Sequence, residues 1–187
     1  MKKFLTTLTA VLCCAMALSS CSKSDDNSGG GVTPAAPDTT PASIKFVYMA
    51  QVTADMLKYM DIEIQFKDES GNVKSEKITS AEIWSKEITA KLPAKMAARM
   101  QLKKKDGVEY DKIEEAVNCG ADIAHGYTFL NKAGGQLDVL SATVKVVSLA
   151  VPGYNVEKYI VEKGTNHKSA SWEYDANGKE TTGKWLD

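Results

Sequence analysis

The side chains in this sequence that could do chemistry are few and scattered. The two histidines are His125, in Ala-His-Gly, and His167, in Asn-His-Lys. Neither has the partner spacing of a helical zinc site, and each neighbours a turn former, so both read as turn or surface residues. Carboxylates are plentiful: Asp61 and Glu63 point the same way from one alternating segment, and Glu114-Glu115 are adjacent. A glycosidase needs two carboxyls facing each other across a cleft, whereas Asp61 and Glu63 read as the solvated side of a strand. Lys103-Lys104-Lys105 precedes a turn and reads as an exposed strand end. No Gly-x-Ser-x-Gly elbow, phosphate-cradling glycine loop or dinucleotide fingerprint occurs. The expectation is a non-enzymatic protein with no metal and no cofactor. A hydrolase whose site is assembled from distant positions is the alternative that sequence leaves open.

The aromatic residues near the C-terminus form the most informative group. Asn177-Gly178 signals a two-residue hairpin turn. Taking those two as the loop pairs Tyr174 with Thr181, Trp172 with Gly183 and Ala170 with Trp185. Trp172, Tyr174 and Trp185 then share one face, and the other face is wholly polar. Such a face either covers a core or forms an exposed platform on which sugar rings stack. Trp84 lies beside a different strand and reads as core.

The elements that would position these residues are strands. Ile44, Phe46, Tyr48, Ala50 and Val52 alternate along a first one, and Met60, Ile62, Ile64 and Phe66 alternate with Asp61, Glu63, Gln65 and Lys67 along a second. Residues 68–72 turn the chain into a strand at 73–78. Ala94, Met96, Ala98, Met100 and Leu102 mark another, closed by Asp106-Gly107. Segments 127–130 and 137–150 flank Gly134-Gly135, and Pro152-Gly153 precedes a further apolar run at 156–161, also read as a strand. Within 109–118, Tyr110, Ile113 and Val117 fall on helical spacing with Gly120 as a stop, which predicts at most one short helix there. Eight or nine strands without alternating helices argue for an all-β antiparallel sandwich over residues 43–187. The pattern resembles immunoglobulin-like, fibronectin type III-like or transthyretin-like modules.

The first 21 residues carry an address. Lys2 and Lys3 precede an apolar run from Phe4 to Leu18, the layout of an export signal too short for a comfortable membrane span. It ends in Leu18-Ser19-Ser20-Cys21, which resembles the lipobox of bacterial lipoproteins. That resemblance implies removal of residues 1–20 and acylation of Cys21, palmitate being a typical chain. At about 0.8 kcal/mol per buried methylene, two or three chains hold a protein to a membrane almost permanently. Residues 21–42 are rich in Ser, Asp, Gly, Pro, Thr and Ala and read as a disordered tether with a reach of roughly 25 Å. Ser22-Lys23-Ser24-Asp25-Asp26 resembles the acidic segment that follows the cysteine in surface lipoproteins of Bacteroidetes-type bacteria. Asp38-Thr39-Thr40 is similar to their O-glycosylation site, which makes Thr39 a candidate acceptor. The expected location is the outer membrane, lipid-anchored, with the domain carried on the cell surface.

Composition narrows the partners. The chain carries 23 basic and 24 acidic residues; without Lys2 and Lys3 the balance is 21 against 24. No basic excess exists to neutralise a phosphate backbone, which excludes nucleic acid as an expected partner. Of four cysteines, Cys13 and Cys14 leave with the leader and Cys21 takes lipid, so Cys119 remains alone and reads as a small buried apolar residue. The sequence thus points to a lipid-anchored envelope module that binds a protein partner or builds a surface structure. The alternative of another class is a carbohydrate-binding accessory lipoprotein of a glycan-uptake system, using Trp172, Tyr174 and Trp185.

Overall fold

The computed structural model describes residues 36–182. The leader, Cys21 and Trp185 lie outside the described residues. Ten strands and two short helices follow in the order β1 (Ser43–Val52), α1 (Ala54–Tyr59), β2 (Met60–Lys67), β3 (Val73–Ile78), β4 (Trp84–Lys91), β5 (Ala94–Lys104), β6 (Val117–Leu130), β7 (Gln136–Leu140), β8 (Ser148–Val151), α2 (Val156–Lys163), β9 (Lys168–Tyr174) and β10 (Glu180–Thr182). They form two five-stranded sheets. The first has the order β4-β1-β6-β7, with β8 also on β6, and the second runs β10-β9-β5-β2-β3. Every pairing is antiparallel. The fold is the antiparallel all-β sandwich that the period-two pattern predicts.

The alternation of side chains places the core. Ile44, Phe46, Tyr48, Ala50 and Val52 of β1 all point inward, facing Met60, Ile62, Ile64 and Phe66 of β2 and Met96, Ala98, Met100 and Leu102 of β5. A train of rings runs through this layer: Trp84 to Phe66 at 5.5 Å, Phe66 to Tyr48 at 5.6 Å, Tyr48 to Phe46 at 4.8 Å and Phe46 to Trp172 at 5.3 Å. Offset and edge contacts of this kind add to the burial of each ring. Trp84 also donates from Nε1 to Glu76 at 2.9 Å, stitching β4 to β3 across the edge of the sandwich.

Several elements differ from the sequence expectation, beginning with α1, a helix at Ala54–Tyr59 where none was expected. The short helix expected within 109–118 is only a 3-10 turn, Tyr110–Lys112. The Tyr110 hydroxyl accepts from the Lys105 amide and donates to the Tyr59 carbonyl, both at 2.7 Å, which holds this segment against the end of the sheet instead of letting it coil. The run at 156–161 is helical, not extended: Val156 and Ile160, four residues apart, are buried on one side of α2. Segment 137–150 pairs with β6 only at its two ends; in between, residues 141–147 leave the ladder, and the Asp122 carboxylate takes the Lys145 amide at 2.9 Å.

The last hairpin is out by one residue from the expected register. Tyr174 pairs with Glu180, Glu173 with Thr181 and Trp172 with Thr182. The loop holds three residues, Ala176-Asn177-Gly178, because the Asp175 carboxylate accepts the amides of Asn177 and Lys179 at 2.8 and 2.9 Å. Gly178 closes it at φ +76°, a left-handed conformation that favours glycine. The same Asx-x-x-Gly-x loop recurs at 68–72 and 131–135.

Candidate functional site

The most distinctive surface lies where β8 and α2 close one side of the sandwich. β6 is long enough to carry two partners, β7 beside its C-terminal half and β8 beside its N-terminal part. The returning chain comes very close at Gly120, where a Cβ would meet the Ser148 Cα at 2.8 Å. Only glycine lets the two backbones lie this near. Leu149 pairs with Cys119 and Val151 with Val117, so their side chains face inward. Val151 is buried, whereas Leu149 is 63% exposed.

Helix α2 follows at once, through a 3-10 turn at Gly153–Asn155. It packs on the end of β5 through Val156 and Ile160. Between the helix and β8 runs a cleft of about 250 Å³, floored by Leu149, Val151 and Tyr159 and rimmed by Asn155, Lys158 and Glu162. Lys158 and Glu162 face each other at 3.7 Å and cancel one another's charge. Tyr154 is 79% exposed, Val147 75% and Val161 70%. An open strand edge beside an apolar notch is suited to receiving an extended polypeptide segment, whose backbone would extend the sheet and whose side chain would fill the notch.

Behind the cleft stands His167, with its ring 5.8 Å from that of Tyr159, edge to face. Both of its ring nitrogens are buried and have no hydrogen-bond partner. Burial, reinforced by the charges of Lys168 and Lys163, pushes its pKa down to about 4, so the ring is neutral near pH 7. His125 is also half-buried. It lies in the middle of β6 opposite Tyr48, stacked on Phe46 at 5.2 Å and 4.4 Å from Trp172, with Nε2 3.5 Å from the Tyr174 hydroxyl. Burial lowers its pKa as well. The expectation that both histidines are turn or surface residues holds for the backbone position of His167, which lies in a bend ahead of β9, and is corrected for His125 and for the burial of the His167 ring. His125 sits in a long strand whose inward register the flanking glycine did not reveal. His167 lies in the bend just before β9, its ring packed on Tyr159 of α2.

The candidate residues for glycan stacking need the same correction. Trp172 pairs with Met96 and Tyr174 with Ala94, and both rings are buried between the sheets. They cover the core and present no ring face to a sugar. Trp185, the third member, lies outside the described residues, as does Cys21. Thr39 is exposed ahead of β1. Cys119 is buried, and burial pushes its thiol up to about 11, away from reactivity.

Glu63 lies on the outer side of β2 and binds Lys103 at 3.1 Å, while hydrogen bonds from Ser75 foremost, then Lys103 and Gln65, lower its pKa. Glu114 and Glu115 are exposed. Among the described residues no group of three His, Cys, Asp or Glu converges where a metal ion could sit.

Sequence reasoning missed the β8–α2 face, although two signals for it are present. From residue 139 to residue 156 the only charge is Lys145, and Val156 and Ile160 carry helical spacing. No family model matches this chain, and no curated protein or solved structure matches it.

Proposed function

We propose that this chain is a lipid-anchored module of the cell envelope that binds a protein partner, without catalysis, through the face formed by β8 and α2. The anchor rests on the leader and on Leu18-Ser19-Ser20-Cys21; the acidic residues after Cys21 favour display on the outer face of the outer membrane. The binding reading rests on one observation: an open strand edge beside a cleft lined by Leu149, Val151 and Tyr159, with exposed Val147 and Tyr154 in the segments on either side of β8. Exposed apolar surface beside an open strand edge on a small domain fits a site that another molecule covers. A sandwich of immunoglobulin-like or transthyretin-like kind is a frequent carrier of such recognition surfaces.

The anchor is tested by metabolic labelling with palmitate and by cell fractionation. The chain incorporates label and travels with outer membrane, and Cys21→Ala loses both. A Cys21→Ala chain that stays membrane-bound would end the lipoprotein reading. Protease added to intact cells removes the domain if it faces outward and spares it if it faces inward.

A further inference from the structure

We propose that residues 141–147 are a strap poised to close onto β6, held off it by the carboxylate of Asp122. This goes beyond the partner-binding reading and does not depend on it.

The ladder on this side of β6 has an open stretch. Alternate residues of a strand turn their backbone groups to opposite neighbours. Gly120 turns its carbonyl to the Thr53 amide on the β1 side, and Asn131 turns its amide to Gly135 on the β7 side. The N–H and C=O of Ala121, Ile123 and His125 therefore point away from β1, toward the strap. Among the described residues no backbone group of the strap bonds to any of them. Backbone groups inside a sheet are rarely left without such partners.

The strap already has the character of the missing strand. Half-buried Ala142, Val144 and Val146 alternate with exposed Ser141, Thr143, Lys145 and Val147. Four of the seven residues are β-branched, which suits a strand. Continuing the register of β7 from the pair Tyr127–Leu140 sets Ala142 opposite His125, Val144 opposite Ile123 and Val146 opposite Ala121. The half-buried residues thus meet the three residues whose backbone groups are open. β8 resumes with Ser148 opposite Gly120, so one residue, Val147, is left over. A single bulge accommodates it.

Asp122 explains why this ladder stays open. Its carboxylate takes the Lys145 amide at 2.9 Å. In the closed register Lys145 stands opposite Asp122, and its amide turns away from β6. The carboxylate has therefore captured an amide that the ladder does not use, and that bond breaks before the strap can close. On closing, the Lys145 side chain comes beside Asp122 on the outer face, where an ion pair is worth little. The strap decides which strand forms the edge of the first sheet. Open, the middle of β6 has unused donors and acceptors; closed, β7, the strap and β8 run as one edge strand.

Amide hydrogen exchange of the full-length chain, read residue by residue, tests this. In the parent, Ala121, Ile123 and His125 are expected to exchange about a hundredfold faster than Asp122, Ala124 and Gly126, whose amides face β1. Asp122→Ala removes the captor, and the three fast amides slow to the level of their neighbours. Lys145→Pro removes the captured amide, at a position where the closed edge strand needs none, and has the same effect. Continued protection of Asp122, Ala124 and Gly126, or of the last two in Asp122→Ala, reports that the sheet is intact. Slow exchange of Ala121, Ile123 and His125 in the parent would mean that the strap is already closed, and would overturn the open state. Exchange that stays fast in either variant, with the sheet intact, would overturn the latch.

Discussion

The hydroxyl of Tyr48 donates to the carbonyl of Lys67 at 2.9 Å, so a residue in the middle of the first sheet is tied to the last residue of β2 in the second. The bond is buried, and the same hydroxyl lies 3.5 Å from the Met96 sulfur. It is a polar tie within a largely apolar layer, joining the two sheets at a fixed point.

Tyr48→Phe keeps the ring and leaves the Lys67 carbonyl buried without its donor. The expected cost is about 1–3 kcal/mol of stability, the penalty of one unsatisfied buried acceptor. Urea unfolding followed by tryptophan fluorescence measures it; a variant as stable as the parent would mean that water reaches that carbonyl.

Acid should weaken the domain through His167 before it protonates most carboxylates. Its folded pKa, about 4, lies below the unfolded value of 6.5. The unfolded chain therefore binds the extra proton first. Stability from this group is complete above pH 6.5 and is lost as pH falls toward 4, by about 3 kcal/mol at most. His167→Phe removes the titrating group. Its unfolding midpoint should change much less than that of the parent between pH 7 and pH 4.5, and parallel curves would contradict the assignment.

Trp172→Ala is expected to cost about 3–5 kcal/mol, the range for removing a large buried ring. The ring lies against Phe46, Tyr48 and His125, and nothing in that layer can move in to fill its space without disturbing β9. Calorimetry of the variant decides the point: a transition within a degree or two of the parent would mean that the indole contributes nothing to the core.

Gly120→Ala tests how β8 is held. The added methyl would press on the Ser148 backbone and push β8 away from β6, at a cost of about 1–3 kcal/mol. Hydrogen exchange should rise at residues 148–151 and stay unchanged at residues 60–67. Equal protection in the two proteins would show that the close approach is not needed.

Much of this architecture can be read from alternation alone. Ile44 to Val52, Met60 to Phe66 and Ala94 to Leu102 each have one face buried and one solvated, so a period of two is written directly into their residue types. The misread parts have other causes. Residues 156–161 are β-branched and aromatic enough to look extended, yet the packing of Val156 and Ile160 onto the end of β5 makes a helix of them. The segment after β7 looks like one long strand because its valines suit a strand; that it leaves the ladder between Leu140 and Ser148 depends on Asp122, a residue of another strand. In the final hairpin, Asn177-Gly178 is a strong local signal, but the side chain of Asp175 outweighs it and lengthens the loop by one.

The candidate surface was harder to see than the fold, for a physical reason. Leu149 pairs with buried Cys119 yet is itself 63% exposed, and no local pattern records which residues of an inward register a neighbouring element covers. Burial of Trp172 and Tyr174 is likewise decided by their pairing with Met96 and Ala94, some eighty residues upstream.

The strand that opens the domain, β1, is threaded between β4 and β6, with Ser43 paired both to Lys91 and to Leu130. Neither half of the chain therefore owns a finished sheet. A cut at the exposed turn of Asp106-Gly107 would leave β1 to β5 in one piece and β6 to β10 in the other, and each sheet would lose a pairing across the cut, β1 with β6 in one and β5 with β9 in the other. Mixing the two pieces is expected to restore both pairings, which would make the domain a split pair usable as a reporter of when two fused proteins meet.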